Sequence, residues 1–156
     1  MPVVLAMRKT PAGSVDQVDT SYLETLLGYN ARRVSLTVID LFTQRMAAYD
    51  LSPVDFSILS LVRHNPGITS RQICGALALL PPNLVGKISI MEKRNLLTRL
   101  PHPDDGRAIG LHLTEAGERL MLKAEKTATA LELDATSRLS AAEKKTLLKL
   151  LQKLYI

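Results

Sequence analysis

The stretch Ile68–Gly117, ITSRQICGALALLPPNLVGKISIMEKRNLLTRLPHPDDGRAIGLHLTEAG, decides how this chain is read. Two apolar helical patterns lie head to tail across a short connection, and two short strand-like runs follow with PHPDDGR between them. Thr69 with Gln72 forms a capping box that opens a short helix through Leu79. Pro81 and Pro82 then fall in the first turn of the next helix, where a missing N–H costs little. Leu84, Ile88 and Met91 recur at helical spacing as its inward positions. Leu96–Leu100 and Ala108–Leu113 read as strands around the loop Pro101–Arg107, with Ile109, Leu111 and Leu113 alternating with Gly110 and His112. The pattern spells a mainly α winged helix-turn-helix with a small β-hairpin wing. In that module one helix enters the DNA major groove.

The flanks read as helical on both sides. Residues 1–19 lack periodicity and contain Pro2, Pro11 and Gly13, which predicts an irregular N-terminal arm. Ser21 with Glu24 reads as a capping box for one long helix to about Tyr49. Its apolar positions step by three and four from Leu23 to Met46, and Leu26, Leu36 and Ile39 widen the face. Ser52-Pro53, with Asp55 near the positive end, starts the next helix, and Asn65-Pro66-Gly67 stops it. Thr114 caps a helix to about Ser137. Ser140 with Glu143 caps the last, where Leu147, Leu148, Leu150, Leu151 and Leu154 form a broad leucine face. A terminal helix this apolar needs a partner. The expected division is 20–50 and 114–156 as an interlocked helical dimerisation region, with 51–113 as the DNA-binding domain.

The 156 residues carry a formal charge of +5 and are 46% hydrophobic, which suits a folded protein that meets nucleic acid or another acidic surface. Residues 53–113 hold seven Lys/Arg against four acids, and all three histidines fall there. One cysteine excludes an intrachain disulfide and fits a reducing compartment. No apolar run approaches the ~20 residues that span a bilayer. The short apolar start lacks the flanks of a signal peptide. A cytoplasmic location is expected, with no membrane partner.

From Leu51 to Gly117 the chain resembles the MarR family of bacterial transcription regulators. LSPVDFSILSLVRHNPGITSRQICGALAL and NLVGKISIMEKRNLLTRLPHPDDGRAIGLHLTEAG carry the likeness, most specifically PDDGRAIGLHLTEAG. The resemblance implies a homodimer that represses at a near-palindromic operator and, in many members, releases DNA on binding a small aromatic or anionic effector. It also implies that Arg107, after the acidic pair, enters the minor groove. The first turn Leu80-Pro81-Pro82 stands where the family often has polar or basic residues, and Lys87 where it often has leucine.

Helical spacing turns Pro82, Asn83, Val85, Gly86, Lys87 and Ser89 outward as the recognition surface. Asn can bond adenine bidentately, Lys can meet guanine or phosphate, and Val can pack on a thymine methyl. In the wing, Gly106 permits a tight turn beside Arg107, Asp105 orients the arginine or pins the loop, and Arg99 and His102 are phosphate contacts. Ser70, Arg71 and Gln72 at a helix start are further backbone contacts. The plainer alternative for each is a solvated polar surface.

An effector pocket would draw on Tyr29, Arg32, Arg33 and His64, since an Arg beside a Tyr can hold an aromatic carboxylate. A surface basic pair beside a core tyrosine is the favoured reading there. Cys74 reads as a small packing residue and not as a redox sensor. The histidine spacings make no metal site, no cofactor motif is present, and no catalytic constellation points to an enzyme. Two other classes stay open: a nucleoid-type binder indifferent to sequence, and a protein-interaction module with reduced DNA binding.

Overall fold

The computed structural model describes residues 17–101 and 108–156. It divides into two compact units, Met1–Ser35 and Leu36–Ile156. Within the first, α1 (Ser21–Glu24) is a single turn, and α2 (Leu27–Met46) begins after a break. One continuous helix from Ser21 to Tyr49 was expected, and the break has a local cause. Thr25 Oγ1 donates to the Tyr22 carbonyl at 2.7 Å, and Asn30 Nδ2 donates to the carbonyls of Glu24 and Leu26. These side chains satisfy carbonyls that a continuous helix would bond itself. The Ser21–Glu24 capping box is also absent. The cap position belongs to Thr20, whose hydroxyl meets the Glu24 carboxylate at 2.6 Å, while Ser21 N–H donates to Asp19.

In the second unit α2 closes at Met46, and a 3-10 turn, Ala47–Tyr49, leads to Asp50 in the left-handed region. Arg94 donates to the Tyr49 and Asp50 carbonyls at 3.0 and 2.7 Å and holds this corner. Then come α3 (Pro53–His64), α4 (Ser70–Leu77), α5 (Pro81–Lys93), β1 (Leu97–Pro101), β2 (Ile109–Leu113), α6 (Glu115–Ala135) and α7 (Ala141–Gln152). The caps read at Thr69 and Ser140 form as full boxes, and the start read at Ser52 also proves to be one, closed by Asp55. Helix α4 stops at Leu77, two residues early, because Ala78 turns left-handed. Helix α6 stops at Ala135.

The core lies under α3–α5 and the sheet. Ile58, Leu59 and Val62 of α3 meet Ile73 of α4, Leu84, Ile88 and Met91 of α5, Leu97 and Leu111 of the strands, and Met121 and Ala124 of α6. Phe42 packs edge-on against Phe56, with ring centroids 5.5 Å apart. β1 and β2 pair antiparallel from Leu97↔Leu113 to Pro101↔Ile109. Ile68 adds a bridge on the other side of Leu111. Gly110 is required there, because a Cβ would come within 2.8 Å of the Gly67 carbonyl oxygen. Of the alternating apolar positions, Leu111 is buried but Ile109 is exposed, since it pairs with Pro101 at the far end of the hairpin.

Helix α7 contrasts with all of this. It buries no residue, and its four leucines, with Leu154 just past its end, are exposed. No single described helix is long and apolar enough to cross a membrane.

Candidate nucleic-acid interface

Helices α4 and α5 form the geometry that defines the site. Thr69 caps α4 by accepting from Gln72 N–H, and Gln72 Oε1 accepts in return from Thr69 N–H at 2.9 Å. Ala78 takes φ 50°, and the chain bends by 116° between the two helices. That is within the range of a helix-turn-helix. Leu80 sits at the N-cap of α5 without a side-chain cap, and the prolines begin the helix.

One face of α5 is spent on the core through Leu84, Ile88 and Met91. The other displays Pro81, Pro82, Asn83, Val85, Gly86, Ile90 and Lys93 to solvent, with Ser89 half-buried. Lys87 differs from the expected outward cation. Its Nζ lies 2.8 Å from Asp55 Oδ1 of α3, with side chains 32% and 21% exposed. Asp55 is itself fixed, because its Oδ2 accepts from the Ser52 hydroxyl at 2.5 Å. Burial pushes the Asp55 carboxyl up, but the Lys87 and Ser52 hydrogen bonds outweigh it and hold the group below its ordinary value.

Arg99 on β1 is similarly engaged. It grips Glu92 of α5 through two bonds, of 2.7 and 3.0 Å. The Arg99 hydrogen bond holds the Glu92 carboxyl below the usual range, and Arg99 is raised in turn. Ser70 is half-buried at the start of α4, Arg71 is exposed, and Gln72 is exposed with its carbonyl oxygen held in the cap. His102, Asp105, Gly106 and Arg107, the wing residues expected beyond Arg99, lie outside the described residues.

The remaining expected residues lie on α2, α3 and α4. Tyr29 is half-buried on α2, and Arg32 and Arg33 are exposed there. His64 is exposed at the end of α3, and its Nε2 meets Glu125 of α6 at 3.0 Å. Cys74 is half-buried against the core. Sequence reasoning missed the polar clamp between α3 and α6, where Arg63 meets Glu118 at 3.1 Å and also pairs with Glu125, which further accepts from Ser60. Only the three- and four-residue spacing of Ser60, Arg63 and His64 on one side of α3 could have signalled it. Among the described residues, no group of His, Cys, Asp or Glu could hold a metal ion.

A bent helix pair with a presented second helix, followed by a two-stranded hairpin, defines a winged helix-turn-helix. The comparisons make that class specific. Residues 51–109 match the MarR family model. The regulator PecS of Dickeya dadantii is 30% identical over 122 residues, which are 76% of this chain and 74% of PecS. The repressor CouR, solved bound to a 23-mer DNA duplex, superposes with a TM-score of 0.83 at 33% identity, over 90% of this chain and 99% of CouR. CouR bound to p-coumaroyl-CoA gives 0.79 at 32%, over 88% and 97%. The chain belongs to the MarR family, and it is a DNA-binding transcription regulator, not an enzyme.

Proposed function

We propose that the chain is a cytoplasmic homodimeric repressor that holds a pseudo-palindromic operator and releases it on binding a small aromatic or anionic effector. The observation that carries this reading is the division of α5 into a buried stripe and a presented face, across a 116° bend from α4. CouR, similar in sequence and fold, supports both halves of the proposal, since it is known with a DNA duplex and with an aromatic acyl thioester.

In this scheme residues 51–113 read DNA, 20–50 and 114–156 hold the dimer, and 1–19 form an arm. Two isologous subunits place their α5 helices about one turn, ~10 bp, apart on the duplex. Asn83, Val85, Gly86, Pro82 and Ser89 face base edges. Ser70, Arg71 and Gln72 approach the backbone. Arg107 enters the minor groove, with His102, Asp105 and Gly106 shaping the wing. For the effector, Arg32 and Arg33 serve its anionic groups and Tyr29 its ring.

Fluorescence anisotropy with promoter fragments at about 0.15 M salt tests the proposal. Expected are retention against competitor DNA, release by an aromatic acyl-CoA, and weaker binding by Arg107→Ala with an unchanged melting curve. Equal affinity for every fragment would replace the repressor with a sequence-indifferent binder.

A further inference from the structure

We infer that α5 reads A·T pairs, through adenine edges and thymine methyls, and is blind to guanine. The inference rests on the reading of α5 as the DNA-facing helix and concerns which bases that helix can distinguish.

Guanine is recognised in the major groove chiefly by Arg or Lys donating to O6 and N7. In a helix-turn-helix the N-terminal residues of the second helix reach the bases. The first seven residues of α5 contain one cation, Lys87, and the structure commits it elsewhere. Lys87 bonds Asp55 Oδ1, and the Ser52 capping box holds that carboxylate from its other oxygen. Moving Lys87 to DNA would leave a half-buried Asp55 without its cation, facing a phosphate backbone of the same sign. The other two cations at this helix sit at its far end. Lys93 is the last helical residue, and Arg94 is bonded to the carbonyls of Tyr49 and Asp50.

What remains exposed at the reading end is Pro81, Pro82, Asn83, Val85 and Gly86. Asn83 has the paired donor and acceptor that match adenine N7 and N6. Val85, 59% exposed, and the proline rings are apolar surfaces whose natural partner in the groove is the thymine C5 methyl. The prolines also remove two N–H groups that would otherwise hold a phosphate at the helix start. This helix therefore gains little from charge at its tip and depends on apolar fit.

Base analogues altered only in the major groove separate this from any wing contact. The probe is the duplex recovered by selection from a random pool, measured by anisotropy with the full chain. Replacing its thymines by deoxyuridine deletes the methyls and is expected to weaken binding about tenfold or more. Replacing its guanines by 7-deazaguanine deletes N7 and is expected to change affinity less than twofold. Lys87→Met is expected to leave both the base preference and the slope of log affinity against log salt unchanged. A loss on 7-deaza substitution, tolerance of deoxyuridine, or a slope reduced by about one in Lys87→Met would each overturn the inference. Val85→Glu tests the underlying reading by itself. If it binds normally, α5 does not face DNA. If it loses binding while deoxyuridine is tolerated, α5 faces DNA but does not read methyls.

Discussion

Helices α5 and α7 are almost the same length, 13 and 12 residues, and both are rich in apolar side chains. Yet α5 buries Leu84, Ile88 and Met91 completely, while α7 buries nothing. The difference teaches how to read exposed apolar surface. On α5 the apolar positions at 84, 88 and 91 are consumed by the core, so the exposed Val85 and the prolines are a remainder held rigidly from behind. On α7 no such anchor exists, and the leucine face itself lies open to solvent, as the proposed dimer requires. An exposed apolar residue on an anchored helix points to recognition, and a whole apolar face without an anchor points to assembly.

The largest expected effect lies on the anchored side. Ile88→Ala removes buried methyl and methylene groups from between α3, α5 and the strands, and should lower unfolding free energy by about 2–5 kcal/mol in denaturant titration. A cost under about 1 kcal/mol would mean that α5 is not anchored. Next is the double change Leu150→Glu on α7 with Leu154→Glu just past its end, four residues apart and both exposed. Sedimentation should show the dimer dissociation constant raised at least about a hundredfold, or roughly 2.7 kcal/mol, because four charges would enter one two-fold interface. An unchanged sedimentation profile would leave the leucine face without its proposed role.

Much of this contrast was legible in the sequence. The boxes at Thr69 and Ser140 depend on three-residue spacing alone, so they could be read directly. The inward positions of α5 follow from helical period. What could not be read were the pairings across long separations. Lys87 and Asp55 lie 32 positions apart, and only the packing of α5 on α3 brings them together. Seen locally, Lys87 is an outward cation and Asp55 merely favours a helix start. The Arg63–Glu118–Glu125 clamp was hidden for the same reason. The break at Thr25 failed differently. Helical period continues through it, while the Thr25 and Asn30 side chains compete locally for the carbonyls. Gly117 was read only as part of a motif, and the fold shows why it is glycine: a Cβ would collide with the Leu96 carbonyl oxygen.

A smaller effect is expected from Asp55→Asn, which keeps the shape and removes the charge that Lys87 meets. At neutral pH the loss should be about 1–2 kcal/mol, modest because both side chains keep some solvent. The Asp55 carboxyl is held below its ordinary 3.8, so the unfolded chain takes up the proton first. The stabilisation is therefore complete above that ordinary value and fades as pH falls through the lowered one. The difference between Asp55→Asn and the parent should follow the same course in acid titrations of stability. A gap that stays constant into strong acid would show that the pair does not anchor α5.

The smallest effect on stability, and the sharpest comparison, comes from two matched substitutions. Val85 on α5 and Leu150 on α7 are 59% and 54% exposed, so solvent accessibility does not distinguish them. Val85→Ser should change stability by less than about 0.5 kcal/mol, as surface substitutions usually do. It should leave the dimer intact and weaken operator binding, with the loss concentrated at thymine positions. Leu150→Ser should do the reverse. Base preference would stay as it was, and the melting temperature at a given protein concentration would fall, because the folded chain draws stability from its partner. If both variants fail in the same assay, recognition and assembly are not carried by separate helices. The physical distinction between an anchored and an unanchored apolar face would then have to be abandoned for this fold.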